Sequence, residues 1–346
     1  METIWFCLVA VMIAVYVVLD GFDLGTGILH LYVAKSDAER RAVLESIGPV
    51  WDGNEVWLLA GGGTLYFAFP ALYAAGFSGF YLPLMMVLWL LILRGIAVEF
   101  RNQIHSRVWQ PLWDALFCGA SALLAIFFGA ALGNVVRGVP LDASGYFFLP
   151  LWTDFGARPP AGILDWYTVL IALAAFFTLA EHGALWIALK LEGEVELRAR
   201  KAAAWLWWGV LAAAVLITAV SFRVQPHLAE SYRARPWGYI FPAVAVGGLA
   251  LMKALRGARA FLSSCAFLIG ILTSAAFGVY PYMLPSNGDP SLSLTVYNAA
   301  APRYGLGVGL MWFVPGMALA TGYFIYAYRN FTGKVRITGP AAGATH

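Results

Sequence analysis

Charge is scarce in this chain. Of 346 residues only 12% are Asp, Glu, Lys or Arg, about half of what a soluble domain carries. That deficit excludes an ordinary soluble core, and a net charge of +3 is too small to point to nucleic acid. Cysteine is nearly absent as well. Cys7, Cys118 and Cys265 stand far apart in separate apolar segments, with no CxxC pair, haem-c attachment signature or Cys/His cluster. Iron–sulfur and structural zinc sites are therefore not expected, and the three thiols read as small buried apolar groups. A phosphate-binding loop, a dinucleotide fingerprint, a Ser-His-Asp set and a metalloprotease motif are all missing. Met1-Glu2-Thr3 lacks the basic start of a cleaved signal peptide, so the apolar run behind it reads as a retained helix.

What the chain has instead is apolar length. Hydrophobic residues make up 61% of it, with 14 Trp, 16 Tyr and 23 Phe, and the mean hydropathy is +0.74. About 20 apolar residues cross a bilayer's hydrocarbon core. On that measure the sequence predicts an all-α, polytopic membrane protein with nine spans, at 4–33, 54–76, 78–99, 112–133, 163–189, 202–222, 238–256, 260–283 and 304–328. The first is long enough to project beyond the membrane. Trp51, Trp57, Trp109, Trp113, Trp166 and Trp237 sit near span ends, as an interfacial belt requires.

Basic residues set the orientation. With the N-terminus outside, the inner segments hold Lys35, Arg40, Arg41, Arg94, Arg101, Arg107, Lys190, Arg198, Arg200, Lys201, Lys253, Arg256, Arg259, Arg329, Lys334 and Arg336, sixteen of the 22. Only Arg137, Arg158, Arg223, Arg233, Arg235 and Arg303 fall outside, so the expected topology is N-out, C-in. Inner loops are short and charged. Residues 34–53 read as a surface helix with Ser36 as N-cap and Glu39 at the third helical position. The outer loops are longer and rich in Pro, Gly and aromatics. The longest, 134–162, separates a first four-helix bundle (1–133) from a second (163–283). Residues 284–336 supply a further outer loop and a peripheral ninth helix, and 337–346 read as a disordered tail.

Four carboxylates stand where a membrane chain can least accommodate them. Asp20 and Asp23 lie inside the first apolar run, and Asp52 and Glu55 open the second. A carboxylate at membrane depth costs several kcal/mol unless paired, wetted or protonated, so its default reading is functional. Each pair is spaced i, i+3 and shares a stripe. Both pairs fall at the predicted inner face and can converge between the first two helices, a plausible intake for protons. The plainer reading keeps its weight: these acids can be solvated, neutralised by Arg94, Arg101 or Lys35, or held by the helix dipole. Gly21, Gly25, Gly27 and the run Gly61-Gly62-Gly63 allow close helix approach or leave room for water. Arg94, Glu99 and Arg101 form a second charged group, read as anchoring ion pairs. Of five histidines, His30, His105, His182, His227 and His346, only His182 is well inside a span, beside Glu181. One such residue argues against a self-contained haem bundle. Glu181-His182 is the second-ranked candidate for proton handling. No metal site is expected.

A set of motifs runs in order over nearly the whole chain. Asp20-Gly-Phe-Asp23-Leu-Gly is followed by Ala38-Glu-Arg-Arg, then Gly-Pro-Val-Trp51-Asp52-Gly-Asn54-Glu55-Val-Trp57-Leu and Phe69-Pro70. Tyr73-Ala-Ala-Gly-Phe77-Ser-Gly-Phe-Tyr81, Arg94-Gly-Ile-Ala-Val-Glu99-Phe-Arg101 and Pro281-Tyr-Met-Leu-Pro285-Ser come next. This set closely resembles subunit II of the cytochrome bd-type quinol oxidases. The resemblance implies a complex in the bacterial cytoplasmic membrane that oxidises quinol and reduces dioxygen to water. In such a complex a similarly folded subunit I carries haem b and haem d. Subunit II supplies no haem ligand, stabilises the assembly and contributes carboxylates to proton uptake from the cytoplasm; the path residues match Asp23 and Asp52. The resemblance further implies that a structural quinone and small single-helix accessory subunits can join. Where some members have Gln in the fifth helix, this chain has Glu181-His182. The alternative from the residues alone is a secondary transporter whose acids bind a coupling proton or sodium, with Gly61–Gly63 as a candidate helix break.

Overall fold

The computed structural model describes residues 1–336, and the expected tail 337–346 lies outside the described residues. Helix dominates. Chain order gives α1 (Glu2–Val33), α2 (Asp37–Glu45), α3 (Trp51–Ala68), α4 (Pro70–Gly79), α5 (Tyr81–Phe100), α6 (Trp109–Arg137), α7 (Trp166–Lys190), α8 (Gly193–Val224), α9 (His227–Ala234), α10 (Ile240–Ala254), α11 (Ala258–Val279) and α12 (Arg303–Asn330). Among the described residues a single antiparallel hairpin, β1 (Tyr282–Leu284) with β2 (Leu294–Thr295), interrupts the helical pattern.

Eight of these helices are long and apolar enough to cross a membrane: α1, α5, α6, α7, α8, α10 with the turn before it, α11 and α12. The chain is an integral membrane protein by that measure. Eight predicted spans thus correspond to continuous helices, and the ninth does not. The run 54–76 is split into α3 and α4 at Phe69, because a residue preceding proline is pushed out of the helical region. Phe69 accordingly sits at φ −136°, ψ 64°, and Pro70 opens α4 with a nitrogen that has no hydrogen to leave unpaired. What remains of α3 is 18 residues holding Asp52, Asn54 and Glu55.

α1 is the axis of the fold, packed against α3, α6, α7 and α11. Glycine makes its approach to α7 possible. A Cβ on Gly25 would overlap the Leu179 carbonyl and the Gly183 backbone, and one on Gly183 would overlap Gly25 in return. On the other side Gly27 lies against Ser121 of α6. Gly62 and Gly63 of α3, by contrast, face open space.

α7 starts where Asp165 caps it. Its carboxylate accepts from the amides of Tyr167 (2.7 Å) and Thr168 (3.1 Å), and Thr168 Oγ1 accepts from the Asp165 amide. The same carboxylate pairs with buried Arg137, whose guanidinium also donates to Asn134 and the Gly162 carbonyl. This knot ties the ends of the 134–162 loop together. The loop is then sealed against the hairpin: Val139 donates to Pro285 and accepts from Asn287, and Phe147, Leu149 and Leu284 bury a shared apolar cluster with Ala75 of α4.

At the opposite end, the surface helix expected at 34–53 is α2. Ser36 and Glu39 form the full capping box: the Glu39 amide donates to Ser36 Oγ, and Glu39 Oε2 accepts from the amides of Ser36 and Lys35. Partial burial opposes ionisation of Glu39, but these amides and Arg198 prevail and hold its carboxyl below the usual range.

Candidate functional site

The α2 end of the bundle collects the acids. Asp20 is fully buried on α1, and its Oδ1 accepts from Arg94 Nη1 of α5 at 2.6 Å. Arg94 Nη2 donates to Glu55 Oε2 of α3 at the same distance. One buried guanidinium therefore bridges two acids on two helices, which meets the pairing that burial demands of a charge. Asp23 lies one turn along. Asn54 donates Nδ2 to Asp23 Oδ2 at 2.8 Å, and its Oδ1 accepts from the Tyr328 hydroxyl of α12 at 2.8 Å. Asp23 Oδ1 and Asp20 Oδ2 have no partner among the described residues.

Of the four acids predicted to converge, three do so. Asp20, Asp23 and Glu55 share one cluster through Arg94 and Asn54. Asp52 stands at its rim, exposed on the first turn of α3 and in no ion pair among the described residues. The anchoring group expected from Arg94, Glu99 and Arg101 does not assemble as one unit. Arg94 turns to the acids above, whereas Arg101 binds Asp114 of α6 through Nε (2.6 Å) and Asp37 through Nη2 (2.8 Å). Glu99 is exposed and makes no ion pair among the described residues. The reach of the two guanidinium groups explains the split: Arg94 meets Asp20 of α1 and Glu55 of α3, and Arg101, two turns on, meets Asp37 of α2 and Asp114 of α6.

Glu181 and His182 are buried on α7, but apart from that cluster. The His182 ring lies flat on Phe261 and is held at both nitrogens, by Ser264 Oγ (2.6 Å) and the Val18 carbonyl (3.0 Å). Because a carbonyl only accepts, Nε2 carries a proton, and the Ser264 hydroxyl lies between Nδ1 and the Phe261 carbonyl. Glu181 has no side-chain hydrogen bond among the described residues, and neighbours Phe177 and Leu185 one turn away on α7 belong to an apolar cluster.

Sequence reasoning missed the second hub. Asp114 is buried on α6 and accepts from His30 Nε2 (2.6 Å), Arg101 and Arg40 Nη1 (3.1 Å). It also lines an open cavity of about 360 Å³ with Lys35, Arg40 and His105. Its signal was an acid one turn into an apolar span, the criterion that singled out Asp52. Asn54 was overlooked because a neutral amide carries no charge to notice. Among the described residues no group of three His, Cys, Asp or Glu could hold a metal ion.

The chain has clear relatives. A family model described as cytochrome bd terminal oxidase subunit II matches residues 1–331. The chain belongs to that family. A "probable cytochrome oxidase subunit 2" of Haemophilus influenzae is 31% identical over 362 residues, covering 96% of this chain and 94% of the relative. The cytochrome bd-I ubiquinol oxidase subunit 2 of Escherichia coli is 29% identical over 364 residues, with the same coverage. The cytochrome bd ubiquinol oxidase subunit 2 of Bacillus subtilis is 27% identical and covers 97% of both chains. A chain of the bd oxidase structure from Geobacillus thermodenitrificans shares the fold, with a TM-score of 0.70 at 17% identity over 95% of this chain and 98% of that one. As a bd-oxidase subunit II, this chain is not read further as a coupled transporter, and the helix break that alternative placed at Gly61–Gly63 lies instead at Phe69, beyond an unbroken α3.

Proposed function

We propose that this subunit II supports a bd-type quinol:dioxygen oxidoreductase by stabilising a haem-bearing subunit I and passing protons to it from the cytoplasm. Haem b and haem d in that partner would supply the oxygen reduction. In this reading the protein lies in a bacterial cytoplasmic membrane, N-out and C-in, with α3 and α4 together as the ninth crossing. α1, α3, α5 and α6 make one four-helix bundle and α7, α8, α10 and α11 the other, with α12 at the periphery. Small single-helix subunits can join the same complex.

The observation that carries the reading is Asp23. It is a buried acid with one oxygen free and the other on Asn54, one turn from the Asp20–Arg94–Glu55 bridge and behind the exposed Asp52. Asp52 offers protons from water, and Asp23 holds them at depth. Asp20 and Glu55, clamped by Arg94, fix the field around that site. Glu181 and His182 are assigned a lesser part, because His182 is already engaged at both nitrogens. A buried carboxylate in this setting is read as functional by default. Subunit I is placed against α3 and α12, the face that exposes Asp52 and leaves Leu59, Trp312 and Leu319 uncovered.

His182, engaged by Ser264 and Val18 at its two nitrogens, offers neither to a haem. A structural quinone fits a cavity of about 230 Å³ between α1, α6, α7, α8 and α11. Its walls are apolar, and Tyr16 brings a hydroxyl with no partner among the described residues. When bound, a quinone brings a ring with two carbonyl acceptors on an apolar tail.

The test is turnover in the purified complex. Asp23→Asn and Asp52→Asn each slow quinol-driven oxygen consumption while the haem absorbance spectrum is retained. Wild-type rates in both variants would remove the proton-delivery role and leave only assembly.

A further inference from the structure

α1 carries more unsatisfied polarity than the Asp23 cluster uses. His30 Nδ1, Thr26 Oγ1, Asp23 Oδ1 and Asp20 Oδ2 are all buried, and each lacks a hydrogen-bond partner among the described residues. Buried polar atoms are almost always paired, with protein or with water, so these four, with the Tyr16 hydroxyl a fifth on the same helix, need an explanation. They are not scattered. The steps from 30 to 26, 23 and 20 are four, three and three residues, which places all four within about 120° of the helix circumference, each one turn from the next. Side chains so spaced stand about 5–6 Å apart at Cβ, a gap that one bridging water fills with hydrogen bonds to both neighbours. Ser121 of α6, whose hydroxyl is also buried and unpartnered, lies against Gly27 in the middle of the stripe.

Both ends of the stripe lead somewhere. At one end His30 Nε2 meets Asp114, which lines the open cavity beside Arg40 and His105. At the other, Asp23 meets Asn54. His30 lies about 10 Å along the axis from Asp23, toward the α2 end. An imidazole is suited to that position, since it has one nitrogen on each side.

We infer that the polar stripe of α1 is a second proton inlet, running from Asp114 through His30, Thr26 and Ser121 to Asp23, where it joins the Asp52 inlet. It rests on the proton-delivery reading above and adds a source to it. In its Nδ1–H form the ring takes a proton at Nε2 from a protonated Asp114 and releases the one at Nδ1 toward Thr26, which leaves the Nε2–H form that donates to Asp114; a turn of the ring resets it, so one proton enters and one leaves in each cycle. No electron moves.

The experiment uses the intact two-subunit complex in proteoliposomes, with quinol-driven oxygen consumption and proton uptake as readouts. Thr26→Val and Ser121→Ala remove hydroxyls and keep shape. Parallel inlets make the effects non-additive: the Thr26→Val/Ser121→Ala pair and Asp52→Asn each slow turnover about twofold, and all three together slow it about tenfold or more. The haem spectrum is unchanged throughout, and Thr26→Ser restores the rate. Should Thr26→Val lower the yield of complex, Ser121→Ala with Asp52→Asn carries the same comparison. If the combined variant runs as fast as Asp52→Asn alone, the second inlet is wrong. Asp23→Asn separates the two ideas: a slowed Asp23→Asn with a silent stripe overturns only the inlet, whereas a fully active Asp23→Asn overturns proton delivery itself.

Discussion

Arg94 holds Asp20 at 2.6 Å with both side chains buried, and the pair joins α5 to α1 at membrane depth. A second contact from the same guanidinium to Glu55 makes the arginine the shared member of a three-helix bridge. The two ends of the bridge are therefore unequal. Arg94→Met strands two acids, whereas Asp20→Asn leaves Arg94 paired with Glu55. Removing one member of a buried pair costs about 3–5 kcal/mol. Arg94→Met is expected to lose the assembled complex at a clearly lower temperature than Asp20→Asn, as followed by the haem absorbance of the purified enzyme on heating.

Asn54 links Asp23 to Tyr328 and thereby ties α12 to the acid cluster. Asn54→Leu strips Asp23 of its side-chain donor. Oxygen consumption should fall severalfold with the haem spectrum retained, and Asn54→Gln should fall less. Equal rates for the Asn54→Leu variant and the wild type would show that the amide is dispensable.

The crossing of α1 and α7 tolerates no side chain. Gly25→Ala and Gly183→Ala each drive a methyl into the facing backbone, so either should prevent the chain from accumulating in membranes, as read by immunoblot. Gly119→Ala on α6, which meets open space, serves as the comparison and should accumulate normally.

The α2 cap is sensitive to acid. Glu39 is held below its ordinary value of 4.5 in the fold, so its contribution is complete above that value and fades as pH falls through the lowered one. Amide exchange in α2 should therefore be slow near neutrality and gain an extra acceleration in that acid window, beyond the intrinsic pH dependence of exchange. Glu39→Gln should remove the extra acceleration. Ser36→Ala should weaken α2 by about 1 kcal/mol at any pH.

Span positions were legible from apolar length alone, because a helix that meets lipid has to close its backbone hydrogen bonds within itself. The exception, 54–76, is instructive: the apolar average runs across Phe69-Pro70 unbroken, and only backbone sterics reveals the break. The acids were legible as anomalies of composition, but their partners were not. Arg94 could be assigned to Glu99 from sequence proximity, and only the fold brings Asp20 and Glu55 within reach of its guanidinium. Asp114 and His30 lie 84 residues apart, so no local pattern could join them. The Ser36–Glu39 cap was fully readable because a capping box is a contact between residues three apart.

The end of the chain comes back to its middle. Lys190, buried at the close of α7, donates to the Phe331 carbonyl at 2.5 Å and sits over the Phe331 ring, and Val335 donates back to the Lys190 carbonyl. A ribosome that has released α7 still has about 140 residues to make before that ammonium finds its acceptors. A polypeptide cut short before Phe331 would therefore leave the Lys190 ammonium without these carbonyl acceptors, beside the Trp186 ring alone.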